Sequence, residues 1–257
     1  MSTLPTLIFE DLVPTRDYLR DLGVVMSRLQ RLYLEPHPRQ WEHGLEVTMR
    51  GFSTQTLKIS SGENRLLLDL VKHKLRIGGS NWRLDDYSPP ELLKNINVWL
   101  ESHKIGQKIE RPEFRRSAYS RDQATSYAEA LWWFDHQLKL TKVDLIEGVT
   151  SPVLLYPHHF DLALSWFPWD DERQFTLGWS TGDENIAEPY AYLTAYPELK
   201  RYQDLELPGE AFWQTTGFSG AIMPYTALQS AEDPAALFHR FALDTMLAGR
   251  DLFDQST

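Results

Sequence analysis

The chain contains no cysteine, which excludes disulfides, thiolate metal sites, iron–sulfur clusters and cysteine nucleophiles together. No apolar run reaches membrane-spanning length, and the opening residues MSTLPTLIFEDLVPTRDYLR lack the basic region, apolar core and cleavage site of a secretory leader. A soluble, cytoplasmic protein without a membrane partner is expected. Basic charge is scarce too. The 26 Lys and Arg against 36 Asp and Glu leave a formal charge of −10, which repels phosphate backbones and argues against nucleic-acid binding. The one compact basic cluster, Arg111, Arg115, Arg116 and Arg121, is interrupted by Glu110, Glu113 and Asp122 and reads as decoration of a linker. Nucleophile elbows, phosphate loops and dinucleotide fingerprints are missing, so the sequence names neither cofactor nor metal.

What is present is a globular composition: 257 residues, 42% hydrophobic, with nine tryptophans, enough to bury a substantial core. Thr15 caps an expected helix with Tyr18, Leu22, Val25, Met26 and Leu29 at helical spacing. Strand-like runs follow at 45–50, 55–60, 65–71 and 74–78, with turns at 62–64 and 72–73. Ser88, Pro89 and Glu91 form a capping signature for a helix with Leu92, Leu93, Ile96, Trp99 and Leu100 buried. A second long helix starts at Ser120 and runs to about Ile146. Strands fill 151–198, a further pair spans 211–225, and Asp233–Pro234 opens a closing helix. The expected class is α+β, with mainly antiparallel sheet flanked by long helices. Two similar halves, 1–105 and 120–257, are joined by a connector at 106–119 within one compact unit. Leu32-Tyr33-Leu34-Glu35-Pro36-His37 is echoed by Val153-Leu154-Leu155-Tyr156-Pro157-His158, a sign of possible internal duplication.

The richest stretch is 151–198. Glu188, Tyr190, Tyr192, Thr194, Tyr196 and Glu198 recur every second residue, so a strand sends all six side chains from one face while Ala191, Leu193 and Ala195 take the other. Tyrosines also serve simply as strand residues that pack across rungs and hydrogen-bond nearby backbone. Ahead of them stand His158, His159 and Asp161. If 153–166 were one strand, His159 would lie beside Asp161, where a carboxylate orients an imidazole or shares a metal with it. Glu188 or Glu184 would complete an acid/base or metal site; a buried histidine bonded to backbone accounts for the same letters. Asp170, Asp171 and Glu172 make an acidic tip, most simply an exposed turn.

Three functional readings follow. The leading one is a binding protein with an aromatic, acidic cleft for a small polar molecule, lined by Trp41, Trp179, Tyr190, Tyr192, Tyr196 and Glu198. The second is an acid/base or metal-assisted hydrolase using His158, His159, Asp161 and Glu188. The third is an interaction module in which exposed Trp166 or Trp169 meets a protein partner or a second copy.

The segments TRDYL (15–19), VTMRGFST (47–54), EGVTSPV (147–153), FDLAL (160–164) and LGWSTGDENIAEPYAYLTAYPE (177–198), with the late MPY and its helix, resemble a bacterial family of proteins of unknown function. The resemblance runs through nearly the whole chain, and EP-x-x-Y-x-x-AYPE is its most specific part. It implies that Trp41, His158, Phe160, Asp161, Gly182, Glu188, Pro189, Tyr196, Pro197 and Glu198 occupy characteristic family positions, and it implies no activity. The chain departs from that pattern at Leu154, where a histidine is usual, and at Trp166-Phe167-Pro168-Trp169, which replaces a basic, glycine-containing run.

Overall fold

The computed structural model describes residues 4–59, 62–169, 172–198 and 200–255; Asp170 and Asp171 of the acidic tip lie outside the described residues. The fold is α+β with antiparallel sheets. It divides into two units: Thr6–Trp132 with Leu154–Phe160, here the N-terminal unit, and Met1–Pro5, Trp133–Val153 and Asp161–Thr257, the C-terminal unit.

The N-terminal unit is built on α1 (Phe9–Arg31), which begins six residues before Thr15 and carries Pro14 inside it. Thr15 is therefore interior, and its hydroxyl has another use: it accepts from Ser120 N at 3.0 Å and donates to the Ala118 carbonyl at 3.3 Å. Several polar residues of α1 are buried without being mispaired. Asp21 accepts from Arg115 N, Ser27 donates to the His43 carbonyl, and Gln30 donates to the Glu42 and Gly44 carbonyls. Buried polar groups must be bonded, and here they serve irregular backbone that has no ladder of its own.

The strands β1 (Glu46–Thr48), β2 (Gly51–Ser53), β3 (Leu57–Ile59), β4 (Gly62–Asn64), β5 (Leu67–Asp69), β6 (Lys74–Ile77) and β7 (Ser80–Arg83) give a sheet of order β1-β2-β5-β6-β7, with β3-β4 as a separate pair. The expected strand 45–50 stops at Thr48 because Gly51, at φ +137°, turns the chain back onto β2. Residues 62–64, expected as a turn, form β4. After the turn at Lys72 and His73, α2 (Pro89–Ser102) starts with the full capping box between Ser88 and Glu91.

The long helix α3 (Arg121–Asp144) passes from one unit to the other at Trp132 and Trp133. In its first half Tyr127 stacks on Phe160 at 5.2 Å; in its second, Phe134 stacks on Trp179 at 4.8 Å. Then come β8 (Val149–Thr150), β9 (Leu154–Tyr156), β10 (Asp161–Phe167), β11 (Gln174–Ser180), β12 (Tyr190–Tyr196), β13 (Phe212–Gln214) and β14 (Gly220–Pro224). In the C-terminal unit they give the order β13-β14-β12-β11-β10-β8. The helices α4 (Tyr225–Ser230), α5 (Pro234–His239) and α6 (Thr245–Asp254) close the chain, α5 and α6 being joined by a π-helical turn at Arg240–Asp244.

Residues 153–166 are not one strand. Pro157 interrupts the run, Phe160 N bonds back to the Tyr156 carbonyl at 2.8 Å, and Phe160 sits at φ +59°. The piece before the break belongs to the N-terminal unit, where Leu155 and Leu45 exchange both backbone hydrogen bonds. The echoed hexapeptides accordingly differ in structure: Leu32–Leu34 finish α1 and turn, whereas Leu154–Tyr156 form β9.

Candidate functional site

In the C-terminal unit, the rungs Asp161–Ser180–Tyr190 and Ala163–Gly178–Tyr192 put these six residues on one face of the sheet. The opposite face carries Leu162, Leu164, Trp166, Phe175, Leu177 and Leu193, all buried, and Phe175 meets Phe253 of α6. Tyr192 leans across Gly178, and its hydroxyl donates to Asp161, one rung away. Gly178 permits this: a Cβ there would lie 2.5 Å from the Tyr192 hydroxyl. The Tyr190 hydroxyl donates to Asp183 Oδ2 at 2.6 Å, while Asp183 Oδ1 accepts from Asn185 N and Ile186 N. Burial disfavours the charge on Asp183, yet these hydrogen bonds outweigh it and hold the carboxyl below its usual range. Burial, followed by the bond to Asp183, raises the pKa of Tyr190.

The remaining sequence candidates are dispersed. Tyr196 is 56% exposed at the end of β12, followed by a cis peptide to Pro197, and Glu198 is exposed beyond it. Glu188 precedes the strand and accepts from Thr226 Oγ1 at 3.3 Å. Trp179 is 1% exposed, on the core face against Phe134, so its ring does not share the tyrosine face. Trp41 belongs to the N-terminal unit, stacked on His37 at 4.0 Å. His158 and His159 are exposed in the turn of that same unit, whereas Asp161 and Glu188 belong to the other. Burial, then Arg20 and His43 nearby, lowers the pKa of His158. Among the described residues no group of three or more His, Asp or Glu could hold a metal ion. Trp166 is buried and its indole donates to the Glu147 carbonyl at 2.6 Å; the Trp169 indole donates to Asp254.

A site the sequence did not announce lies in the N-terminal unit: a cavity of about 510 Å³, within the usual range for small-molecule pockets. One wall is the segment 84–90 that leads into α2, the other is 114–119, and Tyr18 of α1 lies at its base. The second wall has no helix or strand, but α1 ties it down. Arg115 N donates to Asp21 at 2.8 Å, Arg115 Nη1 reaches Asp17 at 3.1 Å, and Ala118 N donates to the Pro14 carbonyl at 3.2 Å. The stretch read as a linker is thus fixed backbone over 114–119, and two of its arginines, Arg115 and Arg116, line the pocket.

Tyr18 and Tyr119 meet at 5.1 Å between ring centroids. The Tyr18 hydroxyl lies 2.6 Å from the Tyr87 carbonyl and 2.9 Å from that of Leu84, so it holds the first wall. Tyr119 bonds to Nδ1 of His73 at 2.8 Å. Burial raises both phenols and lowers His73, with the Arg121 cation adding to the effect on His73; both tyrosines therefore stay protonated at neutral pH. Asp85 on the first wall is held by Arg121 through both oxygens, and this bonding keeps its carboxyl below the usual range. The lining comes from three stretches with no fixed spacing; the basic cluster was the one signal that marked it in the sequence.

No curated protein and no solved structure matches this chain, and no helix among the described residues is long and apolar enough to cross a membrane. The sequence model of a family of unknown function (DUF5996) matches residues 4–173 and 169–255; the chain belongs to that family.

Proposed function

We propose that the protein binds a small polar molecule in the cavity between segments 84–90 and 114–119. The observation that carries this reading is the cavity itself: about 510 Å³, with a tyrosine base and charged walls whose backbone is already fixed. Pre-formed concavity with a few oriented polar groups is what small-molecule sites have in common. The tyrosine strand supports binding less well, because the Tyr190 and Tyr192 hydroxyls are engaged by Asp183 and Asp161.

The test is a protein-observed NMR screen of the full chain with ring-bearing and aliphatic fragments, run beside Ser117→Trp, which fills the cavity from an irregular segment. Shifts clustering at the amides of Tyr87, Ser117 and Tyr119, and lost in Ser117→Trp at unchanged melting temperature, are expected. Shifts confined to 161–196 would move the site to the tyrosine face and overturn the proposal.

A further inference from the structure

The two walls of the cavity differ in how fully their charges are met. On the first, Asp85 is paired with Arg121 and lies 3.5 Å from Arg83, and Asp86 lies 3.7 Å from the Arg83 Nε. Both carboxylates thus already face guanidinium groups. On the second, Arg115 reaches Asp17 through Nη1 alone, at 3.1 Å, and its side chain remains 46% exposed. Arg116 makes no ion pair among the described residues and is exposed at the cavity wall. With the pairs set aside, the unmet charge at the cavity is positive, in a chain whose formal charge is −10. A guanidinium presents a planar fork of donors that matches a carboxylate or phosphate through two parallel bonds. Beside the two arginines, Phe114 is half-buried in the same wall, and Tyr87 and Pro90 stand in the other. These are surfaces suited to a flat ring.

From this we infer that the ligand of the cavity is a ring-bearing oxyanion, a carboxylate or a phosphate monoester, with Arg116 and the free edge of Arg115 taking the charge and Phe114 taking the ring. The inference rests on the cavity being the binding site and adds the chemical class. Carboxylate and phosphate share the recognition chemistry, and the probes separate them.

The experiment is an NMR titration of the full chain with matched pairs: benzoate against benzamide, phenyl phosphate against phenol, and benzylamine as the cationic ring. It is repeated on Arg116→Ala and Arg116→Lys. The expected result is binding of at least one anion about tenfold or more tighter than its neutral partner, read at the amides of Ser117 and Tyr119. Raised salt should weaken it, Arg116→Ala should abolish the preference, and Arg116→Lys should restore part of it. The tighter anion identifies the oxyanion. Equal binding of neutral and anionic probes at those amides, or preference for benzylamine, overturns the class and leaves the cavity reading standing. No perturbation of those amides by any probe at millimolar concentration overturns both.

Discussion

Replacing Gly178 with alanine tests the packing of the tyrosine face. An alanine Cβ would stand 2.4 Å from Tyr192 Cζ, 2.5 Å from its hydroxyl and 2.6 Å from the Leu162 carbonyl oxygen. The first two contacts are relieved if the ring swings away, which breaks the bond to Asp161; the third involves backbone of β10 and is relieved only by shifting a strand. Overpacking of this kind costs about 1–3 kcal/mol, and losing a hydrogen bond to a carboxylate about 1.5–3 kcal/mol. The two effects together give roughly 2.5–6 kcal/mol for Gly178→Ala. Tyr192→Phe, which deletes only the hydroxyl, should cost roughly 1.5–3 kcal/mol. In a Tyr192→Ala background the glycine change meets only the carbonyl, and its cost should drop to about 1–3 kcal/mol. Urea unfolding followed by tryptophan fluorescence reads the parent and all four variants, with Trp179 next to the substituted residue. An equal cost of Gly178→Ala in both backgrounds, or a cost below about 0.5 kcal/mol in the parent, would refute the account of Tyr192 lying across Gly178.

Asp21→Ala removes the acceptor of Arg115 N and should destabilise the protein by roughly 2–3 kcal/mol. It should also speed amide exchange at Arg115 while leaving α2 protected; unchanged exchange at Arg115 would show that the segment is held by other means. Asp183 supplies a pH dependence. Its folded-state pKa lies below the ordinary 3.8, so its contribution is complete above that value and disappears as pH falls through the folded pKa. The melting-temperature difference between the parent and Asp183→Asn should be flat near neutral pH and close in the acid range, and a gap that widens on acidification would contradict the bonding described.

What the sequence made legible was whatever local chemistry alone decides. Ser88-Pro89-x-Glu91 specifies its own helix start, because every group in the capping box lies within one turn. The tyrosine alternation specifies a two-faced strand for the same reason, and Tyr190, Tyr192, Thr194 and Tyr196 indeed share a face of β12. Thr15 misled because a hydroxyl ahead of an apolar helical pattern looks like a cap in sequence, whereas here it lies inside α1 and bonds the Ser120 and Ala118 backbone, a partner choice that only tertiary packing decides. At Pro157–Phe160 the two signals competed: the proline marks a bend, while hydrophobic alternation continues through it, and the structure follows the proline. Of the candidate residues, Asp161 and Tyr192 were named in separate readings, and their mutual bond was not seen. That bond depends on the register of β10, β11 and β12 and on Gly178 between them. The cavity was beyond reach of pattern, since Tyr18, Tyr87 and Arg116 meet only through tertiary packing.

The crossing of the chain between units bears on how the protein is made. Residues 6–132 leave the ribosome first, yet Leu45 waits for Leu155 to complete its backbone pairing, and Leu154 packs against Gly44. At roughly 5–20 residues per second, that closing piece follows the end of α3 by about half a second to two seconds, during which the Leu45 edge has no partner strand. Pro5, made before that unit, accepts from Tyr225 and Gln229, so it is seated only after residues 220 and 224 positions later have been made. Nascent chains halted before residue 154 should therefore bind chaperones more than those halted after 160, and a synonymous slow codon between those points would lengthen the vulnerable interval without changing the finished molecule.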